Sequence, residues 1–347
     1  MAGLSDMMPQ VSRVTRTLDN FVCMYYGLGG LGKTPVACNF PKPIYFAFGK
    51  SGLSGLNDVR FYSIKNWSDF RKYVNFFANP QNYDELHEEV QTIVLDELEV
   101  AFQYLETYLC STQGVAKIGE MNSGYGGWKE LEDEWSKTML KLFGSGFSIV
   151  NILHTTTLPD STKQFPAGNK RMLPVILNHS DVIGYVKGNG LDADGKPIHS
   201  SLILTDCDEC FARTRNEYIG LRHPIIEDFT AENLIEAYFD GIDAQSEIEG
   251  VKPISKQEQD KMFEEEKIDF KDLMEETTTL CADVSEKVSK DKVFDVIEGV
   301  LGKDKKLSGC TEKNYEAVKV IRDELKAVLD AEIAKELNLK KSEAANE

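Results

Sequence analysis

The sequence predicts an α/β fold: a mainly parallel sheet with a late antiparallel hairpin, followed by a small helical module. Three observations carry this. Apolar runs with strand character alternate with segments of helical periodicity through residue 240, and strands separated by helices form parallel sheets covered on both faces. The first apolar run, FVCMYY at 21–26, leads straight into the glycine-rich GLGGLGKT at 27–34 and a helix start. Beyond residue 266 strand-like runs cease, and 267–342 shows helical periodicity with many Glu/Lys pairs.

Strands are expected at 21–26, 43–48, 92–95, 148–153, 181–186 and 201–205, each a short apolar run bounded by turn-forming or polar residues. Helices are expected at 33–39, 67–78, 97–111, 128–144 and 230–239. The turn-rich GNGLDADGKP at 188–197 lies between two strand-like runs and predicts a hairpin. From Gly241 the composition turns polar and acidic, which reads as a linker. The expected organisation is therefore a core over 1–240, an acidic linker over 241–266 and a helical module over 267–347. No internal repeat is visible.

Composition narrows the class. Hydrophobic residues are 41% and charged residues 28% of the chain, ordinary values for a globular protein. No apolar run approaches the roughly 18 residues a membrane helix needs. MAGLSDMMPQVSRVTR at the start contains no apolar signal core, so neither secretion nor membrane attachment is expected. The seven cysteines are odd in number and scattered, favouring reduced thiols and a cytoplasmic location. A net charge of −18 argues against a generally basic nucleic-acid-binding protein and leaves room only for a local basic surface.

GLGGLGKT has the form G-x-x-x-x-G-K-[ST], a phosphate-binding loop. Gly27, Leu28, Gly29, Gly30, Leu31 and Gly32 supply backbone N–H groups that turn toward phosphate oxygens. Lys33 places an ammonium at the β- and γ-phosphates, and Thr34 offers its hydroxyl to Mg²⁺. A nucleoside triphosphate is the implied ligand. TIVLDELE at 92–99 is an apolar strand ending in Asp96, where a carboxylate can hold Mg²⁺ directly or through water. Glu97 follows and could polarise attacking water, although both acids could equally cap the next helix.

FSIVNILHTTT at 147–157 is a third buried strand ending in His154, a position from which a polar side chain can sense the γ-phosphate. The stretch 157–174 carries Lys163, Lys170 and Arg171 with little acid and is the densest basic loop beside the expected nucleotide site, so it is the candidate DNA contact. CFARTRNEYIGLRHP at 210–224 holds Arg213, Arg215 and Arg222. An arginine there could reach a neighbouring subunit's nucleotide as a finger, or simply be ion-paired. Cys207 and Cys210 form a C-x-x-C with no second pair at zinc spacing and read as structural thiols. Tyr125 and Trp128 in GYGGW could stack a base, but no spacing supports that.

Together GLGGLGKT, KPIYFAF, TIVLDELE, GYGGWKELEDEWSKTMLKLFGSGFSIVNILHTTT, NHSDVIGYV and ARTR resemble the RecA-like AAA-type ATPases of phages and prophages. That family includes ATP-binding proteins linked to single-strand annealing and homologous recombination. The resemblance spans about residues 15–225. It implies a RecA-like P-loop core, ATP and Mg²⁺ as cofactors, ATP bound by 27–34, Asp96 serving the metal, His154 as the strand-end sensor and Arg215 as the arginine after the hairpin strand. It also implies a DNA-facing loop after His154, single-stranded DNA as partner, a homo-oligomer, and the cytoplasm of a bacterial host if phage-encoded. One departure stands out: the family often has an acid at the tip of the second strand, where this chain reads FAFGKSGL with Gly49 and Lys50. Either Glu97 is then the catalytic base or hydrolysis is weak. A nucleotide-gated assembly protein and a nucleoside-type phosphotransferase are the alternatives, and the helical tail is a candidate protein-binding module.

Overall fold

The computed structural model describes residues 9, 11–49, 51–158, 161–263 and 268–344. It divides into two compact units, Ser12–Lys261 and a second that groups residues 9 and 11 with the described residues from 262 onward. The first opens with β1 (Val22–Gly27), α1 (Lys33–Ala37), β2 (Pro43–Ala47), β3 (Phe61–Ser63), α2 (Trp67–Phe77) and α3 (Tyr83–Glu89). It continues with β4 (Thr92–Asp96), α4 (Leu98–Gln113), α5 (Trp128–Phe143), β5 (Ser148–Thr157), β6 (Gln164–Pro166) and α6 (Leu173–His179). β7 (Val182–Lys187), β8 (Ser201–Ile203), β9 (Arg213–Thr214), α7 (Glu217–Arg222), β10 (Ile225–Ile226), α8 (Ala231–Glu249) and α9 (Lys256–Met262) complete it.

The sheet order is β10-β8-β7-β1-β5-β4-β2-β3. From β7 to β3 every neighbouring pair is parallel. β8 returns antiparallel to β7 across the expected hairpin, and β6 and β9 add short antiparallel pairings to β5 and β7. β5 thus separates β1 from β4, and the C-terminal ends of all three lie on one edge of the sheet.

Period-two alternation sorts the buried strand residues onto two faces. Met24, Tyr26, Phe46, Ile93, Leu95 and Ile149 share a core with Trp67, Phe70, Phe102 and Trp135 from α2, α4 and α5. Cys23, Tyr25, Tyr45, Val94 and Val150 face Ala37, Ile219, Phe229 and Leu234 on the opposite side. Each fully buried ring or branched chain contributes roughly 1.5–3 kcal/mol of transfer free energy. The apolar runs are continuous because both faces are covered.

Several boundaries differ from expectation. α1 ends at Ala37 rather than 39: the chain meets Pro41, which disfavours helix at the residue before it, and Asn39 Nδ2 turns back to donate to Pro35 O at 2.9 Å. α8 runs 19 residues to Glu249, so the stretch expected as linker from 241 begins as helix. Gly241 does not break it; a Cβ there would lie 2.4 Å from Ile219 Cγ1, so the glycine permits α7 and α8 to pack closely. The helix stops at Gly250, which takes the left-handed cap conformation. The basic loop expected over 157–174 contains β6 and the start of α6, although Pro159 and Asp160 lie outside the described residues.

The second unit contains α10 (Phe270–Lys287), α11 (Lys290–Leu301) and α12 (Tyr315–Ala344). Leu273, Val284, Val293, Val296, Val318, Ile321 and Leu325 form its core. Asp269 and Ser289 cap α10 and α11, each accepting from a backbone N–H in the first turn.

Candidate nucleotide site

The phosphate-binding loop begins where β1 ends. Gly27 packs so tightly on β7 that a Cβ would lie 2.6 Å from Val186 O. Gly30 and Gly32 both have φ +80, the left-handed region that side chains disfavour, and open space lies over Gly29, Gly30 and Gly32. The result is a concave cradle of backbone. Leu28 points outward, largely exposed, whereas Ser200 Oγ donates to Leu31 O at 3.1 Å and ties the hairpin arm to the loop.

Lys33 is buried, its Nζ donating to Gly27 O at 3.0 Å and Leu28 O at 2.6 Å. Burial lowers its pKa, opposed by the Asp96 carboxylate. Tyr25 OH donates to Lys33 O at 3.0 Å and pins the helix start from below. α1 is only five residues long and has Pro35, which lacks an N–H, in its first turn. The expected dipole contribution is therefore small, and the cradle depends on the loop's own amides and the lysine.

Asp96 closes β4 with its side chain on the α1 face. Its Oδ2 accepts from Thr34 Oγ1 at 2.7 Å and from Tyr45 OH at 3.0 Å. A hydroxyl beside a carboxylate, facing a glycine cradle, suits a magnesium–triphosphate: Thr34 and Asp96 would hold the ion, and 27–34 the phosphates. Glu97 adopts φ 63 and ψ 46 at the N-cap of α4, a conformation that costs a non-glycine residue about 1 kcal/mol or more. Its side chain makes no cap bond, so the capping alternative is not realised.

His154 is the register partner of Gly27 and the first exposed residue after the buried part of β5. β5 does not end there, as the sequence suggests, but continues to Thr157 and pairs with β6. The carbonyl of His154 accepts from Ala167 N at 2.8 Å. Glu99, in the first turn of α4, has its carboxyl pushed up by burial, with its own backbone N–H and His154 opposing and Asp96 and Glu97 adding.

The other expected residues lie elsewhere. Arg215 Nε pairs with Asp181 Oδ1 at 3.1 Å and Nη2 donates to Asn178 O at 3.0 Å. This is at the start of β7, about 20 Å from the loop end of that six-residue strand. Arg213 caps α6 by donating to Leu177 O and Ser180 O, and Arg222 pairs with Asp240. No arginine of 213–222 enters this chain's own site. Lys163 is paired with Asp206 at 2.8 Å, and Arg171 is paired with Glu132 and lies over the Trp128 ring at 4.9 Å. Lys170 is exposed and has no ion-pair partner among the described residues. At the tip of β2 stands exposed Gly49; Lys50 lies outside the described residues. Cys207 and Cys210 have Sγ atoms 3.7 Å apart, and no metal-binding cluster occurs among the described residues.

A cavity of about 600 Å³ adjoins the loop, lined by Gly30, Val36, Asn39, Ile198, Phe229 and Glu232 among others. It is large enough for a nucleoside and continuous with the cradle.

Tyr45, Glu99 and Asn151 are polar contributors that the sequence reading passed over. Tyr45 and Asn151 stand inside apolar runs that read as core; a buried phenol or amide normally has a hydrogen-bond partner, and that was the available signal. Asn151 Nδ2 donates to Cys23 O at 3.1 Å, while its Oδ1 is unpaired in the sheet core.

A family model described as an AAA domain matches residues 19–216. The chain is also 35% identical over 321 residues to the SPbeta prophage-derived uncharacterized protein YorG of Bacillus subtilis (strain 168), covering 92% of this chain and 97% of that one. By that match, the chain belongs to the AAA-domain family of P-loop proteins.

Proposed function

We propose that this AAA-domain protein is a magnesium-dependent ATPase of RecA-like organisation whose turnover is coupled to single-stranded DNA in phage-type recombination or repair. The observation that carries the nucleotide part is the Thr34–Asp96 contact at 2.7 Å, which joins the phosphate loop on β1 to the carboxylate on β4 across the intervening β5. Magnesium, when bound, would neutralise phosphate charge. Lys33 would release Gly27 O and Leu28 O to meet phosphate oxygens, and Thr34 and Asp96 would hold the ion. Glu97, fixed by the backbone turn after Asp96, accepts a proton from the attacking water. His154 reads the phosphate state beside Gly27. The nucleoside occupies the adjoining cavity.

The prophage relative supports only the phage context; the DNA part rests on the hydrogen bond from Ala167 N to His154 O, which leads from the nucleotide side to the segment carrying Lys170 and Arg171. The ion pairs of Lys163 and Arg171 reduce the free charge there, leaving Lys170 as the leading phosphate contact. Arg215, remote from its own nucleotide, would act only on a neighbouring copy in a homo-oligomer. A bacterial host's cytoplasm is the corresponding location.

The second reading, a nucleotide-gated assembly protein with weak hydrolysis, is favoured by Gly49 where an acid could stand. ATPase rate with and without single-stranded DNA, with molar mass measured on the same sample, separates the two. DNA-stimulated turnover supports the first. Nucleotide-dependent assembly with negligible turnover and no DNA binding at low salt supports the second and overturns the first.

A further inference from the structure

Two hydroxyl groups and one glycine converge on a single oxygen at the centre of the site. Asp96 Oδ2 accepts from Thr34 Oγ1 and from Tyr45 OH. A Cβ at Gly52 would lie 1.9 Å from Tyr45 OH and 3.3 Å from the same Oδ2. Tyr45 rises from β2, nearly fully buried at 2% exposure, and the helical turn Ser51–Leu53 lies over its hydroxyl. Oδ1 of Asp96 accepts no hydrogen bond among the described residues.

We propose that Tyr45 is a positioning residue of the nucleotide site. Its phenol fixes the rotation of the Asp96 carboxylate, so that Oδ2 is held by protein donors and Oδ1 is left without one among the described residues, available to an ion if one binds. Gly52 keeps the space that this arrangement needs. The assignment rests on the magnesium–nucleotide reading above.

Chemistry supports a fixed rather than an incidental contact. A carboxylate on a β-strand tip rotates about its last torsion over a broad, roughly two-fold well. One donor, Thr34, cannot fix the angle of the carboxylate plane, because the plane can still swing about that single hydrogen bond. A second donor from a rigid ring on a neighbouring strand can. Partners of this kind tune metal affinity by roughly 10–100-fold.

The test uses the full chain with the Tyr45→Phe variant, which keeps the ring and removes the donor. Nucleotide binding is titrated with Mg²⁺ by calorimetry, with metal-free ATP binding and the thermal midpoint measured in parallel. The Mg²⁺ concentration for half-maximal effect should rise about 10-fold, with metal-free binding unchanged. Gly52→Ala, which pushes on the phenol oxygen, should show the same metal defect. The double variant should be no worse than Gly52→Ala alone. Superimposable Mg²⁺ titrations for wild type and Tyr45→Phe overturn the assignment while leaving the nucleotide reading intact. A fall in thermal midpoint and metal-free binding together, without a metal-specific shift, reduces Tyr45 to a packing role and also overturns it. If wild type binds no nucleotide at any Mg²⁺ concentration, the nucleotide reading falls and the assignment with it.

Discussion

At the scale of single residues, charge and backbone strain make separable predictions. Lys33 is held by two loop carbonyls and is desolvated without a full ion-pair partner, so it serves ligand charge more than the fold. Lys33→Ala should abolish ATP binding or turnover while moving the thermal midpoint little; equal ATP affinity by calorimetry would remove the loop assignment. Glu97 is a different case because its φ is 63. Glu97→Gln should keep ATP binding and lose turnover by about 10²-fold or more, the usual scale for a general base. Glu97→Gly should lose turnover too, while glycine accepts that backbone conformation without strain. A Glu97→Gly variant that is inactive and clearly less stable would indicate a structural role instead.

Elements decide how far a residue's chemistry reaches. Asp181, just before β7, accepts from Val22 N at 3.0 Å and pairs with Arg215, so it links the starts of β1 and β7. Burial pushes its carboxyl up, opposed by the Val22 N–H and by Arg215 and Arg213. The sign follows: with a folded pKa above the ordinary 3.8, the Asp181 site favours folding most in acid and loses that contribution as pH rises through its folded pKa. Removing Arg215 raises the pKa further and costs stability where Asp181 is ionised. Arg215→Ala should lower stability at neutral pH by about 0.5–1 kcal/mol, discounted because the guanidinium is more than half exposed. Thermal melts at pH 7 should show this difference, and melts near pH 3 should show it shrinking; an equal difference at both would mean that the ion pair is not its source. Along β5 and the segment after β6, Lys170→Ala alone should lower the salt slope of DNA binding by about one phosphate contact. An unchanged slope would remove Lys170 from the surface.

This scale also shows what the sequence made legible. The strands β1, β2, β4, β5, β7 and β8 were readable because each is a short apolar run bounded by polar or turn residues. Lys33, Thr34 and Asp96 were readable because their spacing relative to those runs is fixed by local geometry. Less accessible was anything set by distant packing. The polar, acidic composition from Gly241 hides the continuation of α8, and the glycine there permits close approach to Ile219. β6 was hidden in a polar loop because its pairing partner, the exposed end of β5, lacks apolar alternation. Lys163 and Arg171 looked free because Asp206 and Glu132 are far away in sequence. Tyr45 looked like core because only its hydroxyl is functional.

For the whole molecule, the two units have separate cores. We predict two calorimetric unfolding transitions, and saturating Mg·ATP should raise only one of them, by roughly 2.7 kcal/mol at a hundredfold excess over Kd. A single transition shifted as a whole would show that the units unfold together. Among the described residues no helix is long and apolar enough to cross a membrane. The charge of −18 sets a long-range repulsion toward polyanions that salt screens over about 8–10 Å. DNA association should consequently be slow at low salt relative to a basic protein, even where local contacts favour the bound state.

The chain has three tryptophans. Trp67 and Trp135 are fully buried, with rings 6.0 Å apart, while Trp128 is 40% exposed beneath the Arg171 guanidinium. The protein therefore carries a native optical reporter beside Arg171, on the segment proposed to contact DNA. Iodide or acrylamide should quench a red-shifted component of the emission that belongs to Trp128, leaving the buried pair as an internal reference. Any movement of Arg171 that follows ATP binding would change that component's intensity, so the proposed coupling between nucleotide and loop can be timed in a stopped-flow fluorimeter without attaching a dye.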